Sequence, residues 1–177
     1  SIDTGDGIAK DYEVSADVSS PTFLPLTATA SNPTIIIKGD VLGIECSSIK
    51  LTELDCSEAK SLLVLKCDIN NLTELDVSKN ARLARLYCND NMLTSLNLGT
   101  GAELLLIYCQ ENQLTSLNLS NCTKLIELGC YRNAFTEIDL THCPKLAVVN
   151  CSRNKIASLD VSKNLELTRL YCENCQI

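Results

Sequence analysis

Apolar and polar positions alternate along this chain in a pattern that repeats. In the stretch Leu72 to Met92, LTELDVSKNARLARLYCNDNM, apolar residues fall at Leu72, Leu75, Val77, Leu83, Leu86 and Cys88. The same phase recurs at Leu51, Leu72, Leu93, Leu114, Phe135 and Ile156, each 21 residues from the next, and Ile177 opens a further copy. Residues around Leu86 and Cys88 alternate with period two, which predicts a short strand near Arg85 to Cys88 with Leu and Cys inward. Leu75 and Val77 repeat the alternation in the other half of the copy and predict a second short strand on the opposite face. No stretch sustains a period near 3.6, so little or no α-helix is expected. An uninterrupted period of this length predicts a mostly β solenoid of about seven coils, each touching only its neighbours.

The second half of each copy reads LxxLxCxxNxL, for example Leu104, Ile107, Cys109, Asn112, Leu114 and Leu146, Val149, Cys151, Asn154, Ile156. This is the leucine-rich repeat pattern with Cys at the third apolar site. The first half, LTxLDVSxN, echoes it. From Val41 to Ile177 the chain closely resembles the 21-residue bacterial class called the IRREKO type. The resemblance implies a bacterial secreted or surface protein that binds through its strand-lined face. It implies no catalytic activity and no cofactor.

Ahead of the repeats the pattern changes. Residues 1–20 are polar and acidic and are expected to form a flexible lead. Residues 21–40 carry β-branched runs bounded by Pro and Gly, and Thr34 to Lys38 is expected as a strand capping the first coil. The solenoid then occupies 41–177. At the other end, the last coil keeps Leu167, Leu170 and Cys172, and a weak homodimer through this coil is expected, with Arg169 and Glu173 able to pair across it. That expectation gives the alternative function, a structural spacer or assembly unit.

Composition narrows the partners. A net charge of −7 and a pI near 4.7 oppose nucleic acid and anionic membrane surfaces, which attract Lys and Arg. No apolar run approaches the roughly 18 residues of a membrane helix. The chain opens SIDTGDG, and an extracellular or cell-surface location with a targeting segment already removed is expected.

Of the 11 cysteines, Cys46, Cys67, Cys88, Cys109, Cys130, Cys151 and Cys172 form one file at the repeat interval. They read as small buried apolar residues. Stacked coils about 4.8 Å apart hold parallel Cβ atoms beyond ordinary disulfide reach. Cys56 reads the same way. Cys122 and Cys143, at equivalent turn positions of adjacent coils, are the one pair suspected of bonding. Cys172 and Cys175 make a CxxC without the helix start or second ligand pair that redox or zinc chemistry needs. Asn70, Asn91, Asn112, Asn133 and Asn154 form a structural file that satisfies turn amides. Asp55, Asp76, Asn97, Asn118, Asp139 and Asp160 form another, read as local turn bonds in preference to a calcium site. His142 beside Cys143 lacks the convergence a nucleophilic pair needs. No metal site is expected.

The remaining chemistry lies on the outward sites of the Cys-bearing strands. The site after the second Leu carries Glu45, Lys66, Tyr87, Tyr108, Gly129, Asn150 and Tyr171. With Tyr131, this puts four of the chain's five tyrosines on one face. Tyrosine is enriched at interfaces. The expected ligand-binding face is Arg85, Tyr87, Leu106, Tyr108 and Tyr131, for a protein or glycan partner. The alternative is that Tyr87 and Tyr108 form a cross-strand pair that only stabilises the sheet.

Overall fold

The computed structural model describes residues 34–100 and 103–177, and ahead of them the backbone of three short strands. Those are β1 (Ile2–Asp3), β2 (Ala9–Lys10) and β3 (Leu24–Pro25). The rest of the expected lead at 1–20, and the cap segment up to residue 33, lie outside the described residues.

Two kinds of strand follow. On the Cys-bearing face run β5 (Gly43–Glu45), β7 (Val64–Lys66), β9 (Arg85–Tyr87), β11 (Leu106–Tyr108), β12 (Glu127–Gly129), β13 (Val148–Asn150) and β14 (Arg169–Tyr171). The opposite face carries β4 (Thr34–Lys38), β6 (Glu53–Glu58), β8 (Glu74–Asp76) and β10 (Ser95–Asn97). The molecule is a parallel β-solenoid, and no helix occurs among the described residues.

The Cys-bearing sheet is continuous. Its seven strands pair parallel and in strict repeat register, Leu65 beside Leu86, Ile107 and so on, and β3 adds an eighth strand beside β5. The opposite face is broken. Strand β4 pairs parallel with β6 and antiparallel with β1, while β8 pairs only with β10. Thr34–Lys38 is thus a strand as expected, with Ile35 and Ile37 fully buried under the first coil. The expectation of a second strand in every coil holds only as far as Asn97. Beyond it the equivalent residues form no strand, although Leu119, Ile138 and Leu140 are still buried.

Between the faces lies one apolar core with Leu, Ile, Val and Cys in files and Phe135 at a first-Leu site. The turn after each Cys is fixed twice over. Ser48, Ile69, Asp90, Glu111, Arg132, Arg153 and Asn174 all have positive φ, between 51° and 60°. This left-handed conformation is unfavourable for a side chain with a Cβ, most of all for β-branched Ile69. It persists because neighbouring coils hold it: Ile69 N donates to Asn89 O at 3.0 Å, and Glu111 N to Tyr131 O at 3.0 Å.

The Asn file closes the same turn. Asn91 donates through Nδ2 to Cys67 O at 3.0 Å in the preceding coil and to Cys88 O at 3.2 Å in its own. Its Oδ1 accepts from Leu72 N at 3.0 Å. Asn70, Asn112, Asn133 and Asn154 repeat this bridge. One amide therefore satisfies three buried backbone groups and ties two coils together.

Candidate functional site

The outward side chains of the Cys-bearing sheet stack in columns because parallel strands in register place equivalent residues side by side. In one column Tyr87 and Tyr108 meet edge to face, ring centroids 5.5 Å apart and planes at 76°. The Tyr108 hydroxyl donates to Glu127 Oε1 at 2.6 Å. Burial, then this bond and the Glu127 charge, push the Tyr108 phenol up to about 12, so it stays a neutral donor across the physiological range.

The next residue in the column is Gly129, buried in β12. A Cβ there would stand 2.9 Å from Tyr108 Cδ1 and 3.0 Å from Gln110 Oε1. The Tyr108 ring and the Gln110 amide thus fill the place that a side chain would take. Over them lies a depression of about 250 Å³, walled by Tyr108, Tyr131 and Tyr171 and by the polar groups of Glu127, Asn150 and Arg169. Gln110 Oε1 is buried in its floor with no hydrogen-bond partner. A second depression, of about 300 Å³, adjoins it through Tyr131 and Asn150 and reaches Ser152, Arg132 and Arg153. Arg132 there is already paired with Glu111.

The expected face residues divide. Tyr108 and Tyr131 line the first depression. Tyr87 buttresses Tyr108, so the cross-strand pair and the candidate site share a residue. Exposed Arg85 and half-buried Leu106 sit in register with each other beside the pair and line neither depression. Sequence reasoning missed Gly129, Gln110, Glu127, Asn150, Arg169 and Tyr171 as a group. The available signal was Gly129, the only glycine in its column.

The other candidate chemistries have structural occupations. All 11 cysteines are free thiols, Cys122 and Cys143 included. Burial pushes Cys56, Cys109, Cys143 and Cys151 up to about 12 and Cys122 to about 11, and raises Cys46, Cys67, Cys88 and Cys130 too. A thiol so held is a poor nucleophile at neutral pH. Cys143 is fully buried while His142 is exposed and turned to Asp139 at 3.6 Å. In the acidic file each side-chain oxygen accepts from the backbone two residues on, as Asp76 does from Ser78 N at 2.8 Å and Asn118 from Ser120 N at 3.1 Å. Among the described residues no group of three or more His, Cys, Asp or Glu is arranged to hold a metal ion.

The first half of the repeat has its own bridging site, which sequence reasoning also passed over. Asn80 donates to Cys56 O at 2.8 Å and Ala59 O at 2.9 Å, and Asn164 to Leu140 O at 2.9 Å and Cys143 O at 2.8 Å. Cys122 and Cys143 occupy this site in the coils between. The Cys143 thiol reaches only Leu119 O, at 3.8 Å.

Comparison with solved structures finds the same architecture. The chain is similar to the functional domain of InlJ from Listeria monocytogenes, which includes a cysteine ladder, with 29% identity and a TM-score of 0.65 over 85% of this chain and 39% of that one. YopM from Yersinia enterocolitica WA-314 is 24% identical, with a TM-score of 0.67 over 77% of this chain and 29% of that one. The internalin InlF from L. monocytogenes str. 4b F2365 is 21% identical, with a TM-score of 0.66 over 77% and 48%. These neighbours are bacterial leucine-rich repeat proteins. The chain spans less than half the length of each. No protein-family model and no curated protein matches it.

Proposed function

We propose that this chain is a non-enzymatic binding module of the 21-residue repeat class, secreted or displayed by a bacterium, that grips a protein or glycan through the Cys-bearing sheet. The observation that carries this reading is the depression beside Gly129, where three tyrosines and several polar groups converge on a face otherwise built of regular columns. Large rings with polar tips are the residues that most often anchor an interface. The buried thiols, raised far above neutral pH, leave the sheet without an activated nucleophile.

The test compares capture from an animal-cell surface extract and binding to a glycan array, each with wild type and with a Tyr87→Ala, Tyr108→Ala double variant. Anchors of this kind cost about 2 kcal/mol or more each when truncated. The double variant is expected to lose every specific binder; full retention would remove this face from consideration.

A further inference from the structure

One edge of the Cys-bearing sheet carries a ribbon of uncovered apolar side chains. The residues standing just before the strands are Leu42, Leu63, Ala84, Leu105, Ile126 and Ala147, all at least partly exposed, Ile126 to 44%. Backbone bonds between adjacent coils hold them in line, from Leu105 N to Ala84 O at 2.8 Å and from Ile126 N to Leu105 O at 2.9 Å. Beside the ribbon runs the column Val64, Arg85, Leu106, Glu127 and Val148, paired in register. Exposed Arg85 makes no ion pair among the described residues. Glu127 accepts the Tyr108 hydroxyl through one carboxylate oxygen and presents the other. Two strand spacings, about 10 Å, separate Arg85 from Glu127, with Leu106 between them.

This order of residues is its own complement. Consider a second copy laid face to face, with its coils running the other way and a two-fold axis along the Leu106 strand. Arg85 of each copy then stands opposite Glu127 of the other. In the ribbon the same rotation sets small Ala84 against exposed Ile126, and Ala147 against Leu63, so large side chains meet small ones. In the tyrosine column it sets Tyr87 against Gly129. Moving the axis by one coil removes the match, since it brings the two copies' Arg85 together on one side, or their Glu127 together on the other. Seven strands about 4.8 Å apart and a width of about six residues make a face of about 700 Å² per copy, close to the ~800 Å² that each partner gives to a standard interface.

We propose that two copies of this chain associate through the Cys-bearing face as an antiparallel two-fold dimer centred on Leu106, held by the apolar ribbon and by two reciprocal Arg85–Glu127 pairs. This rests on the binding-face reading above and names the protein partner as a second copy. The ribbon supplies the favourable burial, since both apolar edges leave water together. The charge pairs set the register and exclude the neighbouring ones, where like charges would meet. A contact in which each copy uses the same patch closes on itself and stops at the dimer.

The experiment is sedimentation velocity of the chain from micromolar to millimolar concentration. Wild type is expected to pass from monomer to dimer and no further. Arg85→Glu and Glu127→Arg, each with an unchanged circular dichroism spectrum, are each expected to weaken the dimer at least about tenfold, because one reversal places like charges at both pairs. An equimolar mixture of these two variants restores both pairs in a mixed dimer and is expected to recover association. Ile126→Asp, which leaves the pairs in place, is expected to weaken the dimer through the ribbon; with Arg85→Glu it carries the test if Glu127→Arg does not fold. A wild type that stays monomeric throughout, wild-type association in Arg85→Glu or Ile126→Asp, or a mixture of folded variants that stays monomeric overturns the proposal. If no dimer forms while another protein or a glycan is captured in a Tyr87- and Tyr108-dependent way, this inference fails and the binding-module reading stands. If the dimer forms and no outside ligand is captured, the inference stands and the reading of an external ligand fails.

Discussion

The two faces of the solenoid are built from the same repeat and differ in how completely they are wired. On the Cys-bearing face an asparagine stands in five successive coils, each bridging two carbonyls and one N–H across a coil boundary, and the sheet runs unbroken from β3 to β14. On the opposite face the equivalent bridge is made by Asn80 and Asn164, with Ala59, Cys122 and Cys143 at the same site in other coils. There the strands form short separate sheets and lapse after Asn97. Apolar burial is also less complete on the opposite side, where Leu54, Leu117, Leu159 and Val161 are only partly buried. The two faces therefore differ both in packing and in whether a side chain bridges the buried turn groups at every coil. The candidate binding residues lie on the fully wired face, which holds its columns in register.

The largest effect should be one the two faces share. Nine buried thiols have raised pKa values in the folded chain, six in the main file and three, Cys56, Cys122 and Cys143, on the other side. A folded-state pKa above the unfolded one means stability is fully present below the unfolded value near 9 and is lost as pH rises toward the folded value. Each thiol forfeits about 1.4 kcal/mol one unit above its unfolded pKa. Nine together forfeit about 12 kcal/mol, the scale of a whole domain's stability of about 5–15 kcal/mol. Cooperative unfolding near pH 10, followed by circular dichroism, is therefore expected. Replacing Cys56, Cys122 and Cys143 by Ala should relieve about a third of the pH slope. Relief of most of it would make the opposite face the weak point.

Next comes the asparagine contrast. Asn91→Ala strands the buried Leu72 N–H and removes one of two donors from Cys67 O and Cys88 O, which keep Asn70 and Asn112, and is expected to cost about 2–3 kcal/mol in urea unfolding. Asn80→Ala strands no backbone group, since Cys56 O keeps Ala59 N and Ala59 O keeps Leu62 N, and its Oδ1 accepts only a thiol, from Cys56 at 3.3 Å, so about 1 kcal/mol is expected. Equal costs would dissolve the distinction between the faces.

A smaller effect is expected from rewiring the weaker side. In Cys143→Asn the new amide can bond Leu119 O and Cys122 O as Asn164 bonds Leu140 O and Cys143 O, but its Oδ1, like that of Asn164, would be buried without a donor, so the two offset to within about 1 kcal/mol. A large rise in the urea midpoint would mean that the bridge alone limits this side. The smallest effect concerns acid. Bonds from Thr141 hold Asp139 below the usual carboxylate range, and bonds from Ser162 do the same for Asp160. A depressed folded pKa contributes stability that is present above the unfolded value near 4 and lost as pH falls through the folded one. Asp139→Asn with Asp160→Asn should keep the fold, since Asn97 and Asn118 make the same turn, and should flatten the acid limb of the melting profile slightly.

Much of this was readable in the amino-acid order. The period, the inward leucines, the cysteine file, the asparagine bridges and the strand at Thr34–Lys38 all follow from side-chain chemistry repeated at a constant interval, because a solenoid's contacts run between equivalent positions of adjacent coils. Tertiary structure decided what depends on departures from the repeat. That the opposite strands stop after Asn97 could not be read from TSLNL, since Thr94–Leu98 and Thr115–Leu119 share that sequence and only the first contains a strand. The ligand-binding face was expected at Arg85, Tyr87, Leu106, Tyr108 and Tyr131, and of these Tyr108 and Tyr131 line the depression. The rest of its lining, with Glu127, Gly129, Asn150, Arg169 and Tyr171, comes from three successive coils, and the bond that draws Tyr108 to Glu127 across Gly129 exists only once the strands are stacked.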